Sequence, residues 1–287
     1  MSIDALLPRS GRAPVQIRVL GCSGAIAAGC RTTAFLLDDR VLFDCGTGVG
    51  ELSVEAMTRI DDVVLTHAHL DHVQSLPLLA DVVLGARLAP HGRGAIRVHG
   101  LPETLDALRT HLFNGTIWPD FLTIPSAAQP ILTFHPCAVG DVLTFGEGAD
   151  ARRVWVLPAV HPVPTCGLAV DTADGWWVFT GDSGPNPAFW AQLQTERLAH
   201  VVADVSFPDE LAALAVRSGH LIPATLADAL RQLPGRVPVH VTHLKPGDDA
   251  RVMAQIFAID TPHLLSRLAP GHVFEMTATG GDAPAGR

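Results

Sequence analysis

The most constraining feature of the sequence is a cluster of three histidines and one aspartate that directly follows a short apolar run. The run spans 62–66, and the cluster reads His67-x-His69-x-Asp71-His72. A short and almost wholly apolar run is typical of a strand buried on both faces. Residues two apart in an extended segment project to the same side, so His67 and His69 can present their imidazoles to one ion.

The second half of the cluster predicts a second ion. If a helix begins near Leu70, Asp71 and His72 lie in its first turn and can face another metal. Imidazole and carboxylate ligands suit zinc, while manganese and iron also accept them. The alternative is a strand end whose polar residues cap the next helix. With 14 histidines in 287 residues, chance produces this pattern in about one chain in a thousand, so we favour metal binding.

Three further polar residues stand at the ends of predicted strands. His161 follows the apolar run 154–160, Asp182 follows 176–180 through a glycine, and His243 follows 237–242. Each alone is more often a structural turn residue. All three share one context, in which an apolar strand is followed by a possible ligand and a nearby glycine or proline. We therefore expect them to gather with the first cluster.

The order of elements predicts an α/β fold. Two β-rich blocks, each closed by helices, indicate two sheets packed face to face with helices outside, a four-layer αββα sandwich. Strands are predicted at 16–20, 33–37, 41–44, 62–66, 95–99, 131–134, 142–145, 154–159, 168–171, 176–180, 201–205 and 237–242. Helices are predicted at 49–60, 77–88, 102–112, 209–216, 224–233 and 249–259. Because no linker interrupts the pattern, we expect a single domain over 1–287, with flexible ends at about 1–14 and 278–287.

Composition narrows the class of protein further. The chain has 48% hydrophobic and 17% charged residues, so it can bury a full core and does not fit a disordered class. No apolar stretch approaches the roughly 20 residues of a membrane helix, and the first residues lack a signal-peptide pattern. We expect a cytoplasmic protein without a membrane partner. The five scattered cysteines fit reduced thiols, and Cys45 and Cys166 lie near predicted loops of the site.

The metal cluster and the three later polar residues together resemble the metallo-β-lactamase superfamily. Its members hold one or two metals at the rim of an αββα sandwich. The resemblance implies two divalent metal ions, with Zn²⁺ expected first and Mn²⁺ or iron as alternatives. It implies one metal on His67, His69 and His161, a second on Asp71, His72 and His243, and a bridging Asp182.

The closing segment resembles one branch of that superfamily, the class II 3′,5′-cyclic nucleotide phosphodiesterases. The runs that carry this resemblance are Thr180–Pro185, Ala203–Pro208, Ser218–Pro223 and Thr242–Pro246, together with Leu70. It implies a small-molecule substrate, cyclic AMP or cyclic GMP, that is hydrolysed to a nucleoside 5′-monophosphate.

The catalytic residues that we expect are Asp71 and His220. Two cations can lower the pKa of a bound water and neutralise charge on phosphoryl oxygens, and Asp71 would help to orient that water. His220 would assist the departing 3′ oxygen. The alternative for His220 is that it caps a helix beside Gly219. Phe113, Trp118, Phe121 and Phe207 are candidate surfaces for stacking a nucleobase, with 113–121 forming a lid or rim.

Other functions stay open at this stage. A tRNA 3′-processing endonuclease shares the metal residues, but it must hold a polyanion, which the net charge of −9 disfavours. Lactonase, thioesterase and arylsulfatase activities share the fold. A non-catalytic module that binds metal or nucleotide is a different class altogether. We expect no nucleic-acid partner, and a homodimer is the default oligomer.

Overall fold

The computed structural model describes residues 13–279. The predicted flexible ends, 1–14 and 278–287, lie outside the described residues except for two residues at each inner edge. Of these, Ala13 and Pro14 are exposed, whereas Ala278 is buried in the core between the sheets.

Sixteen strands are defined within the described residues. They are β1 Val15–Gly21, β2 Ala34–Leu37, β3 Val41–Phe43, β4 Asp62–Val64, β5 Ile96–Gly100, β6 Pro125–Ser126, β7 Gln129–Pro130, β8 Leu132–Pro136, β9 Val142–Phe145, β10 Arg152–Pro158, β11 Cys166–Val170, β12 Trp176–Phe179, β13 Leu198–Asp204, β14 Pro238–Thr242, β15 Leu264–Arg267 and β16 Val273–Met276. All but β6 and β7, which form a small ribbon, belong to two seven-stranded sheets.

Eight α-helices accompany the strands within the same range. They are α1 Val54–Thr58, α2 Leu70–Val73, α3 Leu76–Leu88, α4 Pro102–His111, α5 Pro187–Leu193, α6 Ala212–Ser218, α7 Pro223–Leu230 and α8 Asp249–Phe257. No helix within residues 13–279 has both the length and the apolar character needed to cross a membrane.

The two large sheets have the same pattern of pairing. The first has the order β16-β1-β2-β3-β4-β5-β8 and the second has the order β9-β10-β11-β12-β13-β14-β15. In each sheet the first three pairings are antiparallel and the last three are parallel. The two sheets therefore share one pattern of strand pairing. Because β16 joins the first sheet, the end of the described chain returns to its beginning.

Three apolar clusters separate the layers and confirm the predicted four-layer αββα sandwich. The central cluster lies between the sheets and contains Phe35, Trp177 and Phe274. A second cluster packs the first sheet against α3 and α4, and a third packs the second sheet against α5, α7 and α8. Burial on both faces explains why strands such as β4 are apolar at nearly every position.

The structure also contains elements that the sequence pattern did not predict. Strand β15 has exposed or half-buried side chains, and in β16 the exposed Val273 and Glu275 alternate with the buried Phe274 and Met276, so neither short strand carries a strong apolar signal. Helix α5 was also missed.

Pro77, which interrupts the apolar run after the histidine cluster, lies in the first turn of α3, where a missing N–H costs no hydrogen bond.

Candidate metal centre

The histidine cluster lies where β4 ends and α2 begins. His67 follows the strand after two buried residues, and His69 is the residue that precedes the helix. The expected start of a helix at Leu70 is confirmed. Because α2 is only one turn long, Asp71 and His72 are held close to the two histidines that precede it.

The first group of possible ligands contains His67, His69 and His161. One ligand atom from each lies within 4.8 Å of the others, and His161 Nε2 is 3.0 Å from His69 Nδ1. His161 comes from the loop after β10, in the second sheet. The structure therefore brings together the three residues that the resemblance assigned to one metal.

The second group contains Asp71, His72, Asp182 and His243, again with one ligand atom each within 4.8 Å. His243 Nε2 is 3.2 Å from carboxylate oxygens of both Asp71 and Asp182. Asp182 is also 3.9 Å from His67 Nε2, so it faces the first group as well. Its predicted bridging role has the required position, and the role itself stays a prediction.

Three buried polar atoms of this site lack a hydrogen-bond partner. They are His67 Nε2, His72 Nε2 and Asp182 Oδ1. Buried polar atoms are almost always paired, and cations held by the two ligand groups would satisfy these three. The donor set of imidazole and carboxylate is one that zinc and related divalent ions accept. The residues present therefore fit metal ions, and their chemistry leaves the identity of the metal open.

The electrostatics of the site depend on burial and on the two aspartates. Burial lowers the pKa of His67 well below its ordinary value, and neighbouring His72 adds to the effect. Burial also lowers the pKa of His69 and of His161. These shifts favour the neutral imidazole, which is the form that binds metal.

The pKa values of His72 and Asp182 shift in directions opposite to those that burial alone would give, because the two side chains face each other. Burial lowers the pKa of His72, but Asp182 and Asp44 outweigh it and raise that pKa well above its usual range. Burial raises the pKa of Asp182, but His243 and His72 outweigh it and hold that pKa well below its usual range. The carboxylate of Asp182 is therefore ionised, as a metal ligand must be.

A buried aspartate behind the cluster orients two of its imidazoles. Asp44 is fully buried, and its Oδ2 is 2.7 Å from His72 Nδ1. The same carboxylate accepts hydrogen bonds from the backbone N–H and the hydroxyl of Thr66. The Thr66 hydroxyl is in turn 3.0 Å from His67 Nδ1. Both imidazoles are thus held with their other nitrogen, Nε2, facing the site.

A second buried aspartate, Asp204 in the second sheet, orients two further imidazoles. Asp204 Oδ2 is 2.6 Å from His220 Nδ1, and its Oδ1 accepts a hydrogen bond from the Ser206 hydroxyl. That hydroxyl is 2.8 Å from His243 Nδ1. Sequence reasoning missed both aspartates, although each follows an apolar strand, which is the signal that identified Asp182.

His220 lies beside both ligand groups. Its imidazole is 7% exposed, and its ligand atom lies within 4.8 Å of those of His161 and Asp182. Burial lowers the pKa of His220, but Asp204 outweighs it and raises that pKa. The expected role of His220 as a proton donor stays a prediction. The structure shows why His220 is not merely a helix cap, since its side chain bonds to Asp204.

Two glycines allow the backbone to approach the histidines closely. A Cβ on Gly24 would lie 2.7 Å from His243 Nδ1. Gly219 has φ +67° and a Cβ there would lie 2.7 Å from Pro162 and 3.0 Å from His161 Nδ1. The carbonyl of Gly219 lies 2.9 Å from that same nitrogen.

Several other residues that the sequence suggested do not reach the site. Cys45 and Cys166 are fully buried, and burial raises the pKa of each thiol, so neither lines a cavity as a thiolate. Phe113 and Phe121 are buried in the cluster between the first sheet and its helices. They pack in the core, so the expected stacking surface and lid at 113–121 are wrong for these two.

Two aromatic side chains from that set have different surroundings. The ring of Phe207 lies 5.8 Å from that of His220, centroid to centroid, in an edge-to-face arrangement. Trp118 packs against the cluster behind the first sheet. Phe207 is therefore the aromatic residue of the four that borders the candidate centre.

A comparison with known protein families agrees with the fold and with the geometry of the candidate ligands. A family model described as "Beta-lactamase superfamily domain" matches residues 39–256. The chain belongs to this superfamily, and its two sheets with outer helices form the metallo-β-lactamase fold.

Similar proteins of known name fall into two groups. A probable 3′,5′-cyclic-nucleotide phosphodiesterase of Yersinia pestis is 25% identical over 218 residues, covering 67% of this chain and 60% of that protein. A ribonuclease Z of Bradyrhizobium sp. (strain ORS 278) is 33% identical over 139 residues, covering 46% of this chain and 42% of that protein. The aligned part thus spans less than two thirds of either relative.

A solved structure agrees with the fold over nearly the whole chain. The crystal structure of unliganded yeast PDE1 superposes with a TM-score of 0.75 at 17% identity, covering 92% of this chain and 99% of that one.

Proposed function

We propose that the chain is a dinuclear-metal phosphodiesterase that hydrolyses 3′,5′-cyclic nucleotides to nucleoside 5′-monophosphates. The observation that carries the proposal is the meeting of both ligand groups at Asp182, with His220 beside them. This arrangement suits a phosphodiester, because the two ligand groups would bind the anionic phosphoryl group while His220 would face the leaving oxygen.

The residues divide the work as follows. When bound, divalent ions would lower the pKa of a water and neutralise charge on the phosphoryl oxygens. His67, His69 and His161 would hold one ion, and Asp71, His72 and His243 would hold the other, with Asp182 shared between them. The buried Asp44 and Asp204 keep the imidazoles oriented through the substrate cycle.

His220 supplies the proton that the leaving alkoxide requires. An alkoxide is a strong base, so expelling it without a proton is slow. The carboxylate of Asp204 raises the pKa of His220 against the effect of burial, which keeps the imidazole protonated until it donates. A raised pKa is the property expected of a general acid at neutral pH.

A tRNA 3′-processing endonuclease is the second candidate, favoured by the similarity to ribonuclease Z proteins. Binding such a substrate requires lysines and arginines that neutralise many phosphates. The chain has 20 lysines and arginines against 29 acidic residues, and Lys245 is its sole lysine. This charge balance supports the small substrate over the polyanion.

The deciding experiment offers cyclic AMP, cyclic GMP and a precursor tRNA to the purified protein under the same conditions. We expect nucleoside 5′-monophosphate from at least one cyclic nucleotide, with elemental analysis giving two divalent metals per chain. Cleavage of the precursor tRNA without cyclic nucleotide turnover would overturn the proposal in favour of the endonuclease. Binding of nucleotide without any turnover would support a non-catalytic module.

The role of His220 has a separate test based on the leaving group. His220→Ala should lower kcat for a cyclic nucleotide by about 10²- to 10⁴-fold. It should affect bis(p-nitrophenyl) phosphate much less, because p-nitrophenolate is a weak base that leaves without a proton. The metal content should stay unchanged. Equal losses with both substrates, or loss of bound metal, would give His220 another role.

A further inference from the structure

A cleft beside the candidate centre offers room for the part of a substrate that carries no phosphate. Its volume is about 620 Å³, which is within the range of small-molecule sites. His161 lines the cleft and also belongs to the first ligand group. The cleft therefore borders the first ligand group at His161.

Most side chains that line the cleft are apolar. They include Val139, Val160 and Val163, and the one acidic side chain among them is Glu103. Val139 and Val160 are 47% and 51% exposed, which is a high exposure for large apolar side chains. Covering them would remove apolar surface from water, which favours an apolar or flat aromatic ligand.

The wall is also rigid. Pro102, Pro162 and Pro164 line the cleft, and each proline ring fixes its own backbone angle φ. The Thr165 hydroxyl donates a hydrogen bond to the Val163 carbonyl at 2.7 Å, which ties the same loop together. A wall of this kind loses little conformational entropy when a ligand binds.

A larger cavity elsewhere in the molecule does not compete for this role. Its volume is about 780 Å³, and its wall includes Asp38, Asp62, Arg97 and Arg152. These side chains already form ion pairs with one another. None of its lining residues belongs to either ligand group.

We infer that the cleft between 101–103, 137–139 and 159–165 binds a neutral aromatic group of the phosphodiester substrate, such as a nucleobase, and thereby sets the substrate class. The inference rests on the proposed phosphodiesterase function. The lining residues include no lysine or arginine that could neutralise a second phosphate, and Glu103 would repel one. The cleft thus favours a mononucleotide over a polynucleotide.

The test compares two phosphodiesters that share one leaving group. They are thymidine 5′-(p-nitrophenyl) phosphate and methyl p-nitrophenyl phosphate, and only the first carries a nucleobase. Val139→Trp should fill the cleft and raise the KM of the thymidine ester by about tenfold, or about 1.4 kcal/mol. It should leave the methyl ester unchanged.

The matched control is Val142→Trp, since Val142 is 43% exposed and does not line the cleft. This variant should leave the KM of both esters unchanged. If Val139→Trp alters both esters equally or neither, the inference is overturned. Urea unfolding of both variants should show that each is folded.

A binding measurement separates failure of the cleft from failure of the proposed function. Adenosine carries no phosphate, so its contact with the protein can be followed by saturation-transfer NMR even if no ester is hydrolysed. We expect a signal with the unaltered chain and with Val142→Trp, and its loss with Val139→Trp. No adenosine signal from the unaltered chain would overturn the inference.

Discussion

Two buried aspartates determine how four imidazoles of the site are oriented. Asp44 holds His72 directly and His67 through a threonine hydroxyl. Asp204 holds His220 directly and His243 through a serine hydroxyl. Groups that orient metal ligands in this way commonly change metal affinity by about 10- to 100-fold when they are removed. Each aspartate therefore matters to the centre although neither contacts a substrate.

The Thr66 hydroxyl gives a direct test of that orientation. Thr66→Val keeps the shape of the side chain but removes the link between Asp44 and His67, so we expect metal affinity to fall about 10- to 100-fold. Metal titration of the purified variant measures this change. The control is Thr104→Val, because Thr104 is equally buried and its hydroxyl has no partner. Unchanged affinity in Thr66→Val would contradict the orienting role.

The sequence identified the candidate ligands but not the residues that orient them, for a physical reason. Three histidines and an aspartate within six positions form a pattern that chance produces rarely. Asp44, Asp204 and Ser206 are single polar residues whose histidine partners lie 16 to 37 positions away along the chain. They meet those histidines only in the folded protein.

At the scale of elements, the end of α6 fixes one of the ligands. Gly219 terminates that helix in the left-handed conformation, and its carbonyl contacts His161. A side chain at position 219 would be strained by the backbone angle and would also collide with the loop that carries His161. The helix end therefore cannot change without moving the first ligand group.

A comparison of Gly219→Ala with Gly235→Ala should separate the cost of the backbone angle from the cost of the collision. Gly235 has φ +69° but nothing within 4 Å of the position of an added Cβ, so it should cost only about 1 kcal/mol of unfolding free energy. Gly219→Ala adds a collision, so we expect about 2 to 4 kcal/mol in total. Urea unfolding measures both, and equal losses would show that the collision is relieved at no cost.

Three neighbouring strands enclose a pair of histidines outside the candidate centre. His240 on β14 lies 3.1 Å from His200 on β13 and 2.9 Å from Ser266 on β15. Burial, with His200 and His272 adding to it, lowers the pKa of His240 from 6.5 to about 4. The unfolded chain then binds a proton more readily than the folded one, so the stabilisation is present above about pH 6.5 and is lost toward pH 4.

His240→Gln should weaken this dependence on pH. Glutamine can keep a hydrogen bond without titrating, so the loss of unfolding free energy between pH 7 and pH 4 should shrink by up to about 3 kcal/mol. Urea unfolding of metal-loaded protein at several pH values gives the comparison. His111→Gln, at an exposed position at the end of α4, is the control and should leave the pH dependence as it was. An equal dependence in both variants would refute the effect.

The strength of the apolar signal decided which elements could be predicted. Strands β4 and β11 are fully buried inside their sheets, so their sequences are nearly continuous apolar runs. Strands β15 and β16 lie at the edges and have only four residues each, which is too short for a clear periodic pattern. The burial of Phe113 was equally hidden, since an aromatic residue in an irregular stretch can face the core or the solvent.

At the scale of the whole molecule, the candidate centre is shared between two sheets that have the same pattern of strand pairing. A strand of the first sheet precedes His67, His69, Asp71 and His72, whereas strands of the second sheet precede His161, Asp182 and His243. Apolar packing between the sheets and the contacts at their rim hold these halves together. Metal ions would add a further link, because each ligand group takes residues from both halves.

Removing metal should therefore lower the stability of the whole fold. A ligand present at 100 times its Kd adds about 2.7 kcal/mol to the folded state, so in a chain of 287 residues a strong chelator should lower Tm by about 4 to 5 °C. Added Zn²⁺ or Mn²⁺ should restore it, as followed by differential scanning calorimetry. In Asp182→Asn the response to the chelator should be much smaller. An unaltered chain that releases its metal with no change in Tm would contradict this link.

The position of His243 near the end of the described chain has a consequence during synthesis. The ribosome releases the polypeptide from its amino end onward, so the second ligand group stays incomplete until His243 has emerged. Strand β16, which completes the first sheet, appears later still. A nascent chain can thus bury much of its interior before it acquires all of its metal-binding side chains, and a product truncated before His243 would keep Asp71, His72 and Asp182 but lack the fourth ligand.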